Sequence, residues 1–191
     1  LPAIHLNIRA NENTFITVSA SAILGERNSV QFLHLPTIND TINPITDQYD
    51  PRQVDRDYYH SYSVEARIRH DYNLFNRKSH FVGGIRYGDS KTLRKQKGEG
   101  TTGTDFDLSL ISDYKVDLTF NTVNYAVFAE NVFTLTENLS VTPGFRFDYI
   151  GTDMTGQITA FDTPEVPFKL DRKFPLFGVG AEYKLSPKIN A

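Results

Sequence analysis

The chain of 191 residues contains no cysteine. That excludes disulfides, thiolate metal sites and cysteine nucleophiles. No run approaches the roughly 18 apolar residues of a membrane-spanning helix, and no segment keeps a helical period. Positive charge is not in excess: 20 Lys and Arg stand against 23 Asp and Glu, a formal net charge of −3. The basic face or stripe of a nucleic-acid binder is therefore missing, and no nucleic-acid partner is expected. No low-complexity tract or shift in composition marks a second domain. The opening residues Leu1-Pro2-Ala3-Ile4-His5 lack the basic start, apolar core and small-residue cleavage site of a signal peptide. The sequence is thus expected to be a mature chain or a fragment.

What is present pulls in two directions. Hydrophobic residues make up 39% of the chain and the mean hydropathy is −0.38, values usual for a soluble protein. A transmembrane barrel, however, alternates apolar and polar residues, so its average hydropathy is unremarkable. The 14 Phe and 10 Tyr raise the aromatic share to 13%. Tyrosine suits a membrane–water boundary because it joins an apolar ring to a polar tip.

The dominant pattern has period two. Leu139, Val141, Pro143, Phe145, Phe147 and Tyr149 alternate with Ser140, Thr142, Gly144, Arg146 and Asp148. A strand separates these sets onto opposite faces, whereas a helix would mix them. The split recurs at Ile16–Leu24, Tyr62–Leu74, Tyr125–Leu135 and Phe177–Leu185, more weakly at Phe81–Tyr87, and over a short first strand at Ile4–Ile8. Seven strands of up to about 11 residues are predicted, the length that crosses a bilayer at a tilt.

Two features favour lipid over a protein core. The polar face carries full charges (Arg67, Arg69, Arg146, Asp148), and the apolar face often ends in an aromatic (Tyr62, Tyr72, Tyr87, Tyr125, Tyr149). An apolar band between aromatic girdles, with a polar lumen behind it, is the pattern of an outer-membrane barrel. Connections also alternate in length. Short ones are predicted at Ala10–Asn13, Phe75–Ser79 and Thr136–Asn138; long ones at Gly25–Tyr58, Ser90–Leu118 and Thr155–Lys173. Short periplasmic turns and long extracellular loops give this asymmetry. The expected fold is all-β: an antiparallel, up-and-down transmembrane β-barrel, here about seven strands of a larger one.

Candidate sites follow from charge. Lys91, Arg94, Lys95 and Lys97 lie within seven residues of a predicted loop. They could attract an anionic ligand or the phosphates of lipopolysaccharide, since guanidinium groups grip carboxylates and phosphates bidentately; a solvated rim loop is the plainer use. Arg67, Arg69, Arg86 and Arg146 on the inward set could line a cavity, although such residues more often pair with lumen acids such as Glu65, Asp148 and Glu182 or contact a plug. The acidic stretch Asp40–Asp57 has no EF-hand spacing and carries Arg52 and Arg56 among its acids, so a solvated loop is favoured over calcium. His5, His34, His60, His70 and His80 show no metal-ligand spacing. Glu99-Gly-Thr-Thr-Gly103 lacks the Lys-Ser/Thr ending of a phosphate loop. No nucleophile–base array or paired carboxylates point to an enzyme.

Asn124-Tyr-Ala-Val-Phe-Ala-Glu-Asn131, followed by Leu135-Thr-Glu-Asn-Leu-Ser-Val-Thr-Pro-Gly-Phe-Arg-Phe-Asp-Tyr149, resembles the mid-barrel hairpin of TonB-dependent outer-membrane receptors. Gly25-Glu-Arg-Asn-Ser29, Gln53-Val-Asp-Arg-Asp-Tyr58, Arg94-Lys-Gln-Lys-Gly-Glu-Gly-Thr-Thr-Gly103 and Phe177-Gly-Val-Gly-Ala-Glu-Tyr-Lys-Leu-Ser-Pro187 are similar to segments of its ferric-citrate-type branch. The resemblance implies a barrel of about 22 strands, of which residues 1–191 would form about a third. The plug and the TonB-contacting region would lie outside this segment. It implies uptake of a ferric chelate, with iron arriving only inside the cargo and no intrinsic cofactor, and adds Arg27 to the candidate ligand residues. It implies outer-membrane lipid, lipopolysaccharide, the plug, the remaining strands and TonB as partners. Lys188-Ile-Asn-Ala191 would lead into a turn and a further strand. Two other readings stay open: a complete eight-stranded small barrel, which requires its first and last strands to pair, and a soluble all-β module, which requires a second sheet over the apolar face.

Overall fold

The computed structural model describes residues 2–159, 167–186 and 189–190. Seven long strands form one antiparallel meander: β1 Ala3–Asn11, β2 Thr14–Gln31, β3 Gln53–Leu74, β4 Arg77–Gly100, β6 Val116–Thr134, β7 Leu139–Ile158 and β8 Phe168–Ser186. Two short strands, β5 Leu110–Ser112 and β9 Ile189–Asn190, add to β4 and β8. Each long strand pairs with the next long one, and the sheet is open: β1 and β8–β9 lie at opposite ends of the strand order. The seven predicted strands are all present, including the short first one. The closure required of a complete small barrel is not made among the described residues.

Register confirms the two faces row by row. Val18, Ala66, Ile85, Val127, Phe147 and Pro175 fall in one row across β2–β8. Next to it run Thr17, Arg67, Gly84, Phe128, Arg146 and Leu176 on the opposite face. Almost nothing apolar is enclosed: the only buried hydrophobic side chains among the described residues are Val54, Leu118 and Ala126. Phe177 is 80% exposed and Ile85 62%. An apolar face this wide far exceeds the few hundred Å² that a soluble monomer leaves bare. No second sheet covers it among the described residues, so a hydrocarbon solvent is what the face fits.

The aromatic girdles stand where a bilayer would put them. Tyr87, Tyr125 and Tyr149 lie side by side in one row, their ring centroids 5.2 and 6.2 Å apart. Tyr62 sits close by on β3. At the other end, Tyr72 exchanges hydrogen bonds with Asn131 (2.9 and 3.1 Å) and stacks on His70 at 6.2 Å. From Tyr62 to Tyr72 the strand rises about 33 Å at ~3.3 Å per residue. With a tilt of about 40° this is about 25 Å along the barrel axis, the height of an outer-membrane apolar band.

The strands are longer than the sequence pattern predicts. β3 has 22 residues and β4 has 24, so strand extends into each of the predicted long loops. The first shrinks to residues 32–52, and the second is cut by β4 to Gly100, β5 and the start of β6 to residues 101–109 and 113–115. In the third, β7 reaches Ile158 and β8 begins at Phe168; residues 160–166 lie outside the described residues. Beyond the tyrosine girdle neither face meets lipid, so alternation disappears from the sequence although pairing continues. Two of the predicted short turns tighten, to residues 12–13 and to Phe75–Asn76, where both residues have positive φ (51° and 57°), while the third, predicted at Thr136–Asn138, spans residues 135–138. Lys188 and Ala191 fall outside the described residues, while β9 pairs with β8.

Candidate functional site

The inner face divides into a membrane-level zone and a distal zone beyond the girdle. At membrane level, arginines pair with acids two positions along the same strand, which alternation places on one face. Arg67 donates to Glu65 at 2.6 Å, Arg69 to Asp71 at 2.8 and 2.9 Å, and Arg146 to Asp148 at 2.6 and 2.8 Å. Phe128 lies between Arg67 and Arg146, whose guanidinium carbons stand 5.5 and 5.7 Å from its ring centroid. The ring can lie flat because its neighbour is Gly84: a Cβ there would fall 2.5 Å from the Phe128 ring tip. Pairing with lumen acids is what the sequence favours for Arg67, Arg69 and Arg146, although Glu182 enters no ion pair among the described residues. Arg86 lies in the same zone, facing Glu65 across the register.

The distal zone holds a different arrangement. Asp57 is fully buried and sits between Arg27 on β2 and Arg94 on β4, each directly opposite it. Arg27 Nη2 approaches to 2.6 Å and Arg94 Nε to 3.6 Å. Tyr59 and Gln96 donate longer hydrogen bonds of 3.3–3.4 Å. Both guanidiniums stay about half exposed, and Arg94 lies 6.0 Å from the Phe120 ring centroid. Arg94 Nε is buried without a hydrogen-bond partner. Two cations around one carboxylate leave a single net positive charge, which opens onto the inner face with planar donors suited to a carboxylate or phosphate.

The remaining candidates separate from these. The predicted cationic loop is part of β4, so alternation splits it. Arg94 faces inward, whereas Lys91 and Lys95 share the outward rows of His60 and Arg56. Lys95 pairs with Asp117 at 3.5 Å. Lys97 occupies an irregularity of the ladder with φ of 58°, and its N–H donates to Asp55 at 2.8 Å.

The acidic stretch is not a solvated loop throughout. Asp55 and Asp57 belong to β3, and Asp40 receives two hydrogen bonds from Arg52 at 2.7 and 3.0 Å. Arg52, only 5% exposed, also donates to Gly103 O at 2.9 Å and lies against Phe32 and Tyr49. It joins residues 32–52 to residues 100–103. The described residues hold no cluster of His, Cys, Asp and Glu suited to a metal ion.

Sequence reasoning missed Asp57, Tyr59 and Phe120 as inner-face residues. Counting by twos from Arg67 along β3 reaches 65, 63, 61, 59 and 57, and from Arg86 along β4 reaches 94. The parity was readable; the strand ends were not. Arg52 left no signal, because its partners come from a loop with no period.

No curated protein matches the chain. Among solved structures, the ferric citrate transporter FecA in its unliganded form superposes with a TM-score of 0.79 at 15% identity, over 98% of this chain and 25% of that one. The ferric-catecholate import receptor Fiu from E. coli K12, in an open form, superposes with a TM-score of 0.59 at 13% identity, over 98% of this chain and 33% of that one. The chain thus spans about a quarter to a third of the length of these proteins, and at such identity the likeness is one of fold. The sequence profile described as TonB dependent receptor-like, beta-barrel matches residues 6–191. That match takes in β1 from Leu6 and every later long strand, and the chain belongs to the TonB-dependent receptor β-barrel family.

Proposed function

We propose that this chain is a wall of an outer-membrane receptor that binds an anionic ferric chelate from outside and imports it. Its family consists of receptors and transporters rather than enzymes, typically importing ferric chelates across the Gram-negative outer membrane. The observation that carries the reading is the Arg27–Asp57–Arg94 cluster. It stands on the inner face beyond the tyrosine girdle, where a ligand arriving from the medium would first meet the wall. Asp57 holds Arg27 firmly and Arg94 loosely, so Arg94 is the guanidinium free to engage a carboxylate of the cargo. At membrane level Arg67, Arg69 and Arg146 are already paired with their own acids and form the polar lining through which cargo passes.

In this reading iron is cargo and the chain needs no cofactor of its own. The partners are outer-membrane lipid, the remaining strands, a plug inside the barrel, and TonB as the source of energy. Calorimetry on the intact receptor with ferric citrate and with ferric siderophores tests it. Binding should weaken at least tenfold in Arg27→Gln and Arg94→Gln. An intact receptor that binds no ferric chelate would end the proposal.

A further inference from the structure

One row of the inner face differs from the row beside it. Tyr59, Thr92, Phe120, Met154 and Phe168 are register partners from β3 to β8, and counting by twos places them on the same face as Arg94. The next inner row toward the membrane carries Ser61, Ser90, Thr122 and Thr152 on β3 to β7, where the two threonine hydroxyls share a hydrogen bond of 2.9 Å. Hydroxyls suit a watery lumen; three aromatic rings and a thioether in line do not. Phe168 is 52% exposed, and Tyr59, Phe120 and Met154 are each partly exposed. A run of apolar side chains left open is the observation that calls for an occupant. Gly25, the partner of Tyr59 on β2, leaves room beside them: a Cβ there would meet nothing within 4 Å.

The adjoining charge says what that occupant is. The row lies one inner position from Arg94, about 7 Å along β4, and the Arg94 guanidinium carbon stands 6.0 Å from the Phe120 ring centroid. Asp57 is the only acid in the two rows of Arg94 and Phe120, and it leaves one of its two guanidiniums uncompensated. An aromatic ring carrying an anionic oxygen matches this pair of neighbours. The oxygen meets the planar donors of Arg94, and the ring packs on Phe120 at the spacing of about 4.5–7 Å that aromatic pairs adopt. Met154, beside Phe120 in the row, offers a sulfur to the ring edge. We infer that the cargo is an aryl-bearing ferric chelate, held by an anionic oxygen on Arg94 and by its ring on the Phe120 row. The inference rests on the Arg27–Asp57–Arg94 cluster being the chelate site, and it narrows what that site takes. Ferric citrate would engage Arg94 alone: its surface is carboxylate, hydroxyl and short methylene, and it would leave the rings against water.

The test is calorimetry on the intact receptor with two probes, ferric 2,3-dihydroxybenzoate and ferric citrate. The aryl chelate should bind at least about tenfold more tightly, which is what burying one ring contributes. Phe120→Ala should remove that preference, Phe120→Tyr should keep it, and Arg94→Gln should weaken the binding of both probes. Heat-modifiable mobility on gels checks that each variant is folded. Ferric citrate bound as tightly as the aryl chelate by the wild-type receptor would overturn the inference and leave the transport reading standing. So would a preference unchanged in Phe120→Ala; if both probes weaken there by the same factor, the rings serve a plug or a neighbouring loop instead of the cargo. A wild-type receptor that binds neither probe would end this inference, and the transport reading too if it also binds no other ferric chelate.

Discussion

Replacing Asp57 with asparagine should loosen the distal ends of β2, β3 and β4 while leaving the membrane-level zone unchanged. The side chain is fully buried between Arg27 at 2.6 Å and Arg94 at 3.6 Å. Asparagine keeps the shape and removes the charge, so two guanidiniums face each other across a neutral amide. Breaking a wholly buried ion pair costs about 3–5 kcal/mol. Here the arginines are about half exposed and can recover water, which roughly halves the penalty to about 2 kcal/mol. Tenfold corresponds to about 1.4 kcal/mol, so amide protection in residues 25–31, 53–59 and 92–98 should fall about thirtyfold. Hydrogen exchange with mass readout measures this on the receptor in detergent, using residues 62–70 of the same protein as internal reference. Unchanged protection at the distal ends would refute the view that Asp57 organises them. A uniform loss across both zones would show instead that the sheet opens as one unit.

Three other outcomes follow from the faces and the loops. Ile68→Arg places a cation midway between the girdles on the outward face and should cost about 2–4 kcal/mol in urea titrations of folding into bilayers, whereas Ser63→Arg on the inner face should cost under 1 kcal/mol; equal effects would contradict the assignment of faces. Arg52→Ala removes the two bonds to Asp40 and the one to Gly103 O, so both residues 32–52 and residues 101–109 should become sensitive to limited proteolysis, and sensitivity confined to the first segment would show that Arg52 does not join them. The Asp107 carboxyl is held below the usual carboxylate range, chiefly by the Ser109 N–H it accepts and further by the Thr101 hydroxyl; a lowered folded-state pKa gives stability present above the ordinary value of about 3.9 and lost as pH falls through the folded value. Proteolysis of residues 101–109 by an acid-stable protease should therefore rise gradually as pH falls below about 4, and Asp107→Asn should remove that dependence.

How much was legible differs by zone. Between the girdles, each strand is bathed by lipid on one side and by the lumen on the other, so residues such as Val141 and Thr142, or Ile68 and Arg69, must alternate. This made the seven strands, their pairing order and the inward set with Arg67, Arg69, Arg86 and Arg146 readable in advance. Beyond the girdle the constraint ends. Lys91–Lys97 looked like a loop because Leu93 is its single apolar residue and no alternation shows, although the backbone pairing with β3 and β6 runs on.

The sequence by itself determined an alternating, lipid-facing sheet, because hydrophobic burial in a bilayer is written residue by residue, and its hairpin residues Asn124–Asn131 and Leu135–Tyr149 carry the resemblance to the family. Only the tertiary structure decided how far the strands run, that Asp57 is enclosed by Arg27 and Arg94, that Arg52 ties two loops together, and that Lys91 and Arg94 face opposite ways. Those outcomes depend on register between strands and on contacts 12 to 51 residues apart, such as Arg52 with Asp40 and with Gly103. No local pattern in the chain records such distances, since they are set by where whole hairpins come to rest against one another.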